Sequence, residues 1–193
     1  MITVVKSMDY VLLKSLDEDT YKDIVVSCEF LDKDALKAYI RNSKDIYIGK
    51  KVAPIKVRKG KKGEEIKTRL LTDYNDRNYI LHEEVNYVRL KKTESGELVC
   101  DYIAKNINSL SKEEYIIDPN YLSKMIKLDD NTYAYEDIPR KLVRVDKNIS
   151  FMTSFGEKAV CLKDSYIVIY DDDNYNTLEK TAAEYTYEIE KAD

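Results

Sequence analysis

One short pattern occurs twice in this chain, sixty residues apart. Residues 93–103 are TESGELVCDYI and residues 153–167 are TSFGEKAVCLKDSYI, so a Thr-x-x-Gly-Glu turn precedes a strand in both places. A polar loop and a short helix are expected next in each copy. The pattern therefore predicts an internal duplication in the C-terminal half of the chain, with the copies packed on each other or on the preceding strands because each is too small to bury its own apolar face.

Start signals differ between the two expected helices. Asp118 and Pro119 begin the first one, because proline at the first helical position already has a helical φ. Its buried face is expected to contain Tyr121, Leu122, Met125 and Ile126. The second is expected to be capped by Asn176 or Thr177, and residues 184–189 then predict an edge strand.

The first half of the chain contains short β-branched runs separated by turns. Residues 2–7, 10–16 and 23–31 each predict a strand. Residues 32–42 predict a helix capped by Asp32, since its apolar residues recur at helical spacing. This is the clearest helix signal in the first half.

A basic hairpin is the next predicted element. Residues 54–71 alternate around Gly60 and Gly63, which favours two strands joined by a turn at residues 59–62. Residues 78–92 then continue as strand after a turn rich in Asp and Asn.

These elements predict an α+β fold with a mostly antiparallel β core and a few short helices. We divide the chain into an N-terminal α+β region with the basic hairpin (1–85), a first repeat-like unit (86–128) and a second (140–193). Residues 129–140 are expected to connect the two units. The strand at residues 184–189 offers an edge through which a homo-oligomer could form.

Composition excludes several classes of protein. The longest apolar runs are far shorter than the roughly 20 residues of a membrane helix, and the first residues show no secretory signal. Three widely spaced cysteines without a CxxC pair predict reduced, mostly buried thiols rather than a disulfide framework or a zinc site. We therefore expect a cytoplasmic protein without membrane contact.

Charge is distributed unevenly along the chain, although its net value is only −4. Residues 41–70 contain eleven Lys or Arg against three acidic residues, a net of +8. Residues 129–193 contain fifteen acidic residues against eight basic ones, a net of −7. The basic stretch could attract anions, or it could pair with the acidic end within one chain or across a dimer.

The basic hairpin is the best candidate binding site. Its residues are Lys56, Arg58, Lys59, Lys61 and Lys62, followed by Tyr74, Arg77 and Tyr79. Arginine forks match phosphate oxygens and tyrosine rings stack on bases, so this interleaving favours a small anion or a nucleic acid. Contact with an acidic protein surface is an equal alternative, and a basic loop that is only solvated is a further one.

Catalytic and metal-binding patterns are weak. His82 is the only histidine, and a Cys100 or Ser nucleophile that uses it lacks any activating motif. Asp171, Asp172, Asp173 and Asn174 do not match a calcium loop, which requires Gly at the sixth position and Glu at the twelfth, and they predict a solvated turn. We expect no catalytic residues, no metal ion and no cofactor.

The C-terminal segment resembles the PGDYG proteins of bacteriophages and prophages. The matching residues are Thr153, Gly156, the KDSYIV stretch with Tyr166 and Ile167, and LEKTAAEYTYE at residues 178–188. The likeness covers about 45 residues. The Pro-Gly of the family signature is replaced here by Leu162 and Lys163. The family has no assigned enzyme activity, so the resemblance implies phage origin rather than a reaction.

Three functions follow as hypotheses. The first is a non-enzymatic phage or prophage accessory protein in the bacterial host cytoplasm, an inhibitor that binds a host protein or a small anionic signalling molecule to counter an antiviral defence. The second is a nucleic-acid or nucleotide-binding protein that uses the basic hairpin. The third is a cryptic enzyme that uses His82 and Cys100.

Overall fold

The computed structural model describes residues 3–5, 14, 17, 22–75, 77–107 and 113–193. The described residues are mostly β, with 51% in strands and 13% in helices, and the small sheets form a four-bladed, propeller-like arrangement. The α+β prediction is therefore wrong. The capping residues and the spacing of apolar residues predicted helices near residues 33, 119 and 180, and helices form there. Two of them are very short because the residues beside them pair as strands.

Strands occupy most of the described chain. In chain order they are β1 (Thr3–Val5), β2 (Ile24–Ser27), β3 (Glu29–Phe30), β4 (Ile46–Lys51), β5 (Ile55–Lys59), β6 (Glu65–Asn75), β7 (Asn78–Tyr87), β8 (Leu90–Lys92), β9 (Leu98–Cys100), β10 (Tyr102–Asn106), β11 (Tyr115–Ile117), β12 (Ile126–Lys127), β13 (Thr132–Ala134), β14 (Arg140–Arg144), β15 (Ile149–Met152), β16 (Lys158–Cys161), β17 (Tyr166–Asp171), β18 (Asn174–Leu178) and β19 (Tyr187–Lys191). The predicted strand at residues 10–16 lies almost wholly outside the described residues, and Lys14 within it is helical.

Among the described residues, the helices with known bounds are α1 (Lys33–Asn42), α2 (Pro119–Leu122) and α3 (Lys180–Thr186). The α1 prediction is confirmed, since the Asp32 carboxylate accepts a hydrogen bond from the Ala35 N–H at 2.8 Å. None of the helices in the described part of the chain is both long and apolar enough to cross a membrane.

The predicted extent of α2 and the predicted cap of α3 are wrong. Helix α2 ends at Leu122, and Ile126, expected on its buried face, instead begins β12 with half of its surface exposed. Asn176 and Thr177 belong to β18, and Glu179 caps α3 through a bond from the Ala182 N–H. In both places, pairing with an adjacent strand overrides the local helix signal.

Two five-stranded sheets have matching layouts. Their orders are β11-β10-β5-β13-β12 and β18-β17-β14-β4-β19. In each sheet a hairpin forms one side, and the strand that follows a short helix forms the opposite edge. The predicted edge strand at the C-terminus is confirmed as β19.

The two Thr-x-x-Gly-Glu turns share one hydrogen-bond pattern. The N–H groups of Thr93 and Thr153 donate to the carbonyl oxygens of Glu97 and Glu157, at 2.8 Å in both turns. Each glutamate N–H donates back to the threonine hydroxyl, at 3.1 and 3.2 Å. The glycines between them have φ values of 90° and 80°, which a residue with a side chain rarely adopts.

The predicted basic hairpin does not form. Strand β5 pairs with β10 and β13, whereas β6 pairs with β7 in another sheet. Gly60 lies at a close approach rather than at a hairpin tip, because a Cβ there would come within 2.6 Å of the Asp101 carbonyl oxygen and 2.8 Å of Val88. Sequence alternation located both strands but could not reveal their partners.

Buried contacts join the remaining sheets, which have the orders β1-β2-β7-β6, β16-β15-β3 and β8-β9. The Tyr79 hydroxyl on β7 donates to the Ser150 hydroxyl on β15 at 2.7 Å, and both residues are buried. Helix α1 packs Leu36 into a core cluster with Val143, Ile149 and Phe151. Strands from distant parts of the chain thus contribute to the same core cluster, and the division into three regions stays a prediction.

Candidate functional site

The predicted basic residues are exposed, but Arg58 is neutralised. Its guanidinium lies 2.8 Å from a Glu64 carboxylate oxygen and 3.1 Å from one of Glu114. The Lys61 N–H also donates to Glu64, and this bond, together with Arg58, lowers the pKa of the Glu64 carboxyl group. Arg58 therefore belongs to a local ion-pair cluster, and its guanidinium group is not free to bind a phosphate group.

Four lysines of the predicted site lie around the same loop. Lys56 and Lys59 are exposed on β5, and Lys61 and Lys62 are exposed in the loop that follows it. Within the described ranges, the ammonium groups of Lys59, Lys61 and Lys62 have no carboxylate partner. We call these three lysines, at the end of β5 and in the loop after it, the basic loop; their ammonium groups make no ion pair with the described residues.

The remaining predicted residues lie at the other end of β6. Tyr74 and Arg77 flank the tip of the β6–β7 hairpin, eleven strand residues from the basic loop. At roughly 3.3 Å per residue, β6 separates the two groups by about 35 Å. Tyr79 is a core residue with 1% of its surface exposed. The eight predicted residues therefore do not form one site.

His82 and Cys100 are not brought together either. His82 is exposed on β7, whereas Cys100 packs against Val88 and Ile103. Val88 lies six residues beyond His82 along nearly continuous strand, or roughly 20 Å. The three cysteines are free, as predicted, and burial raises the pKa of the Cys28 thiol to about 12.

The acidic turn between β17 and β18 has a structural role. The Asp173 carboxylate lies 2.6 Å from the Lys37 ammonium and 3.2 Å from that of Lys33, which ties the turn to α1. Among the residues for which positions are given, no group of His, Cys, Asp or Glu is arranged to hold a metal ion.

A different surface collects aromatic rings and cations. We call it the tyrosine cleft: a depression of about 450 Å³ lined by Tyr121, Tyr135, Tyr170 and Tyr187. Its volume lies within the range of roughly 300–1,000 Å³ typical of small-molecule sites. Lys51, Lys124 and Arg140 contribute positive charge to its walls, and Glu136 contributes the one acidic group of the lining.

One wall of the cleft is the end of the sheet that contains β4, β14, β17 and β19. Arg140 pairs with Gly49 across β14 and β4, and Lys51 lies two residues further along β4, on the same face. Tyr187 lies directly opposite Lys51 on β19. The guanidinium carbon of Arg140 is 4.8 Å from the Tyr170 ring centroid. Strand register alone thus gathers these four side chains.

The opposite wall comes from the other five-stranded sheet. Tyr135 and Glu136 directly follow β13, and Tyr121 belongs to α2. The Tyr135 hydroxyl lies 3.4 Å from that of Tyr115, and its ring carries the Lys51 ammonium at 3.8 Å from the centroid. The Lys51–Tyr135 contact therefore joins the two walls.

Electrostatics favour an anion in this cleft. Neither Lys51 nor Arg140 has a carboxylate partner among the described residues, whereas Lys124 lies 3.7 Å from the exposed Glu94 carboxylate. Burial raises the pKa of Tyr135 and that of Tyr187 to about 12. Both phenols stay neutral at physiological pH and can donate hydrogen bonds. Two unpaired cations beside neutral donors are suited to a negatively charged ligand.

Sequence reasoning missed the cleft because its residues come from five separate parts of the chain. The one local signal was the connector at residues 129–140, which contains Tyr135, Glu136 and Arg140. Tyrosine content is high, at 17 of 193 residues, and tyrosines are common at interfaces, but composition does not show which of them lie together.

No protein-family model, curated protein or solved structure matches this chain. The resemblance of the C-terminal segment to PGDYG proteins stays a prediction.

Proposed function

We propose that this protein is a non-enzymatic binding protein that holds a small anionic ligand in the tyrosine cleft. The observation that carries the proposal is the pair Lys51 and Arg140, two cations on one sheet face that rest on tyrosine rings and have no carboxylate partner in the described chain. Each ring contact orients its cation without neutralising it. A ligand anion would supply the missing charge.

The wider setting is part of the same proposal. The protein acts in the cytoplasm of a bacterial host as a phage or prophage accessory protein, and it counters a defence by removing an anionic signalling molecule. The resemblance of the C-terminal segment to PGDYG proteins supports the phage origin. The cleft supports a small ligand over a host protein, since a concave site of this size encloses a small molecule.

Calorimetric titration with pyrophosphate and four nucleoside diphosphates tests the binding function. We expect at least one of these anions to bind, and the double variant Lys51→Ala with Arg140→Ala to weaken that binding more than tenfold, since each charge-assisted contact contributes about 1.5–3 kcal/mol. The matched control is Lys44→Ala with Lys141→Ala, which removes two exposed cations outside the cleft. Equal losses in both double variants, or no binding of any anion, would contradict the proposal.

Nucleic-acid binding by the basic loop is a second candidate. Lys59, Lys61 and Lys62 favour it, because they are exposed and lack a carboxylate partner in the described chain. Replacing all three by Ser should abolish salt-dependent binding of a single-stranded oligonucleotide, measured by fluorescence anisotropy. Unchanged affinity in the triple variant would exclude the loop as the contact surface.

A further inference from the structure

The tyrosine cleft contains more aromatic surface than an inorganic anion can use. Tyr121 has 53% of its surface exposed and Tyr170 has 40%. Across the described residues, the Tyr121 ring has no ring or cation partner, so its exposed part is available to a ligand. Rings presented in this way stack on flat aromatic groups such as nucleobases.

Glu136 supplies a second discriminating feature. Its exposed carboxylate lies in the lining of an otherwise cationic cleft and has no cation partner among the described residues. A carboxylate repels bare phosphate but accepts hydrogen bonds from hydroxyl and amino groups. Inorganic anions carry no such donors when fully ionised, whereas a ribose or a base amino group does.

The unpaired cations lie on one wall only. Arg140 and Lys51 belong to the sheet of β14 and β4, whereas Tyr121 and Glu136 belong to the opposite wall. Lys124 also lies on that opposite wall, but its ammonium group faces the Glu94 carboxylate. A ligand that uses both walls must be negatively charged at one end and must carry an aromatic group and polar hydrogens at the other. Inorganic phosphates lack the second end and uncharged nucleosides lack the first.

We infer that the ligand of the tyrosine cleft is a nucleotide, with its phosphates on Arg140 and Lys51 and its base against the Tyr121 ring. This inference rests on the proposed anion-binding function and specifies its chemical class. Glu136 accepts hydrogen bonds from the ribose or from an exocyclic amino group. The geometry of the cleft does not select one base, so the titration of four nucleoside diphosphates identifies it.

Three probes of one binding series separate this inference from the proposed function. ADP, GDP, CDP and UDP are each titrated into the protein. The corresponding nucleosides and pyrophosphate are titrated in parallel. We expect the best nucleoside diphosphate to bind at least tenfold more tightly than either pyrophosphate or its nucleoside. Pyrophosphate binding as tight as that of every diphosphate would overturn the nucleotide inference and leave anion binding intact.

The other outcomes are equally informative. A nucleoside that binds as tightly as its diphosphate would overturn the anion function and, with it, the assignment of the phosphates. Absence of binding by every probe would overturn both proposals.

Two substitutions test whether the Tyr121 ring contacts the base and not the phosphates. Tyr121→Ala should weaken diphosphate binding about tenfold and leave pyrophosphate binding unchanged, since only the base stacks on the ring. Tyr74→Ala, a matched exposed tyrosine at the distant β6–β7 tip, should change neither affinity. Equal losses for both probes in Tyr121→Ala would show that the ring has only a structural role.

Glu136→Gln should affect the binding of pyrophosphate and of the diphosphate differently. It removes repulsion, so pyrophosphate should bind several-fold more tightly. It also weakens the acceptor of the ribose or amino hydrogen bond, so the diphosphate should gain less or lose affinity. Equal gains for both probes would contradict the proposed contact.

Discussion

The Arg140 guanidinium carbon lies 4.8 Å from the centroid of the Tyr170 ring. This contact fixes one of the two unpaired cations of the tyrosine cleft. Tyr170→Phe keeps the ring face, so we expect diphosphate affinity to stay within about twofold of the original. Tyr170→Leu removes the face and should weaken binding about fivefold, which titration calorimetry can measure. Equal losses in both variants would assign the effect to the hydroxyl group instead.

Tyr79 and Ser150 form a buried pair that links two sheets. Tyr79→Phe leaves the buried Ser150 hydroxyl without its partner and should lower the free energy of unfolding by about 1–3 kcal/mol. Adding Ser150→Ala removes both polar groups and should restore part of the loss. Urea unfolding of the four proteins in this cycle measures the coupling. Additive losses would show that the hydroxyls act independently. Anion binding should be unaffected throughout.

Gly96 and Gly156 occupy the same position of the repeated turn. Because their φ values are 90° and 80°, alanine at either position should destabilise the fold by about 1–2 kcal/mol. In neither case is the added Cβ crowded: its nearest neighbour is the end of Lys92, 3.9 Å from position 96. The loss should therefore be similar in the two variants, as measured by denaturant unfolding. A large difference would mean that the turns are not energetically equivalent.

Removing the charge of Arg58 and removing a charge of the basic loop should affect stability differently. Arg58→Ala removes two partly exposed ion pairs and should lower the thermal midpoint by about 1–4 °C, whereas Lys62→Ala should leave it unchanged. Added salt screens the two ion pairs of the original protein. The difference in thermal midpoint between the original protein and Arg58→Ala should therefore become smaller. Scanning calorimetry at two salt concentrations tests this, and a salt-independent loss would indicate lost packing by the Arg58 stem.

Alkaline pH should destabilise the protein through its buried tyrosines. Burial raises the pKa of Tyr135 and of Tyr187 to about 12 in the folded chain, against about 10 in an unfolded one. Between these values the folded state binds more protons, so the free energy of unfolding falls as pH rises. Tyr187→Phe should make that fall shallower, as urea unfolding at several pH values would show. If the free energy of unfolding depends on pH as steeply in Tyr187→Phe as in the original protein, the raised pKa of Tyr187 is contradicted.

Local features of the fold were predictable where one stretch of sequence determines the geometry. The Asp32 cap, the repeated Thr-x-x-Gly-Glu turns and the β19 edge strand all formed as their residues indicated. Gly60 illustrates the limit, because a glycine required by a close approach cannot be distinguished in sequence from one required by a turn.

The candidate site shows the same limit more strongly. Arg58 was predicted as a phosphate ligand from its basic neighbours, yet Glu114, fifty-six residues away, neutralises it. Lys51 and Tyr187 became neighbours only through the register of β4 and β19. Contacts of this range depend on strand pairing, which local composition does not encode.

The segment of residues 135–140, which joins β13 to β14, should be constrained in length during evolution. Tyr135 and Arg140 stand at its two ends, one beside each wall of the cleft. Insertions elsewhere on the surface would leave ligand contacts in place, but a single added residue here would move one wall relative to the other. We therefore expect descendants of this gene to tolerate changes of length in the turns at residues 93–97 and 153–157 and to keep residues 135–140 at constant length.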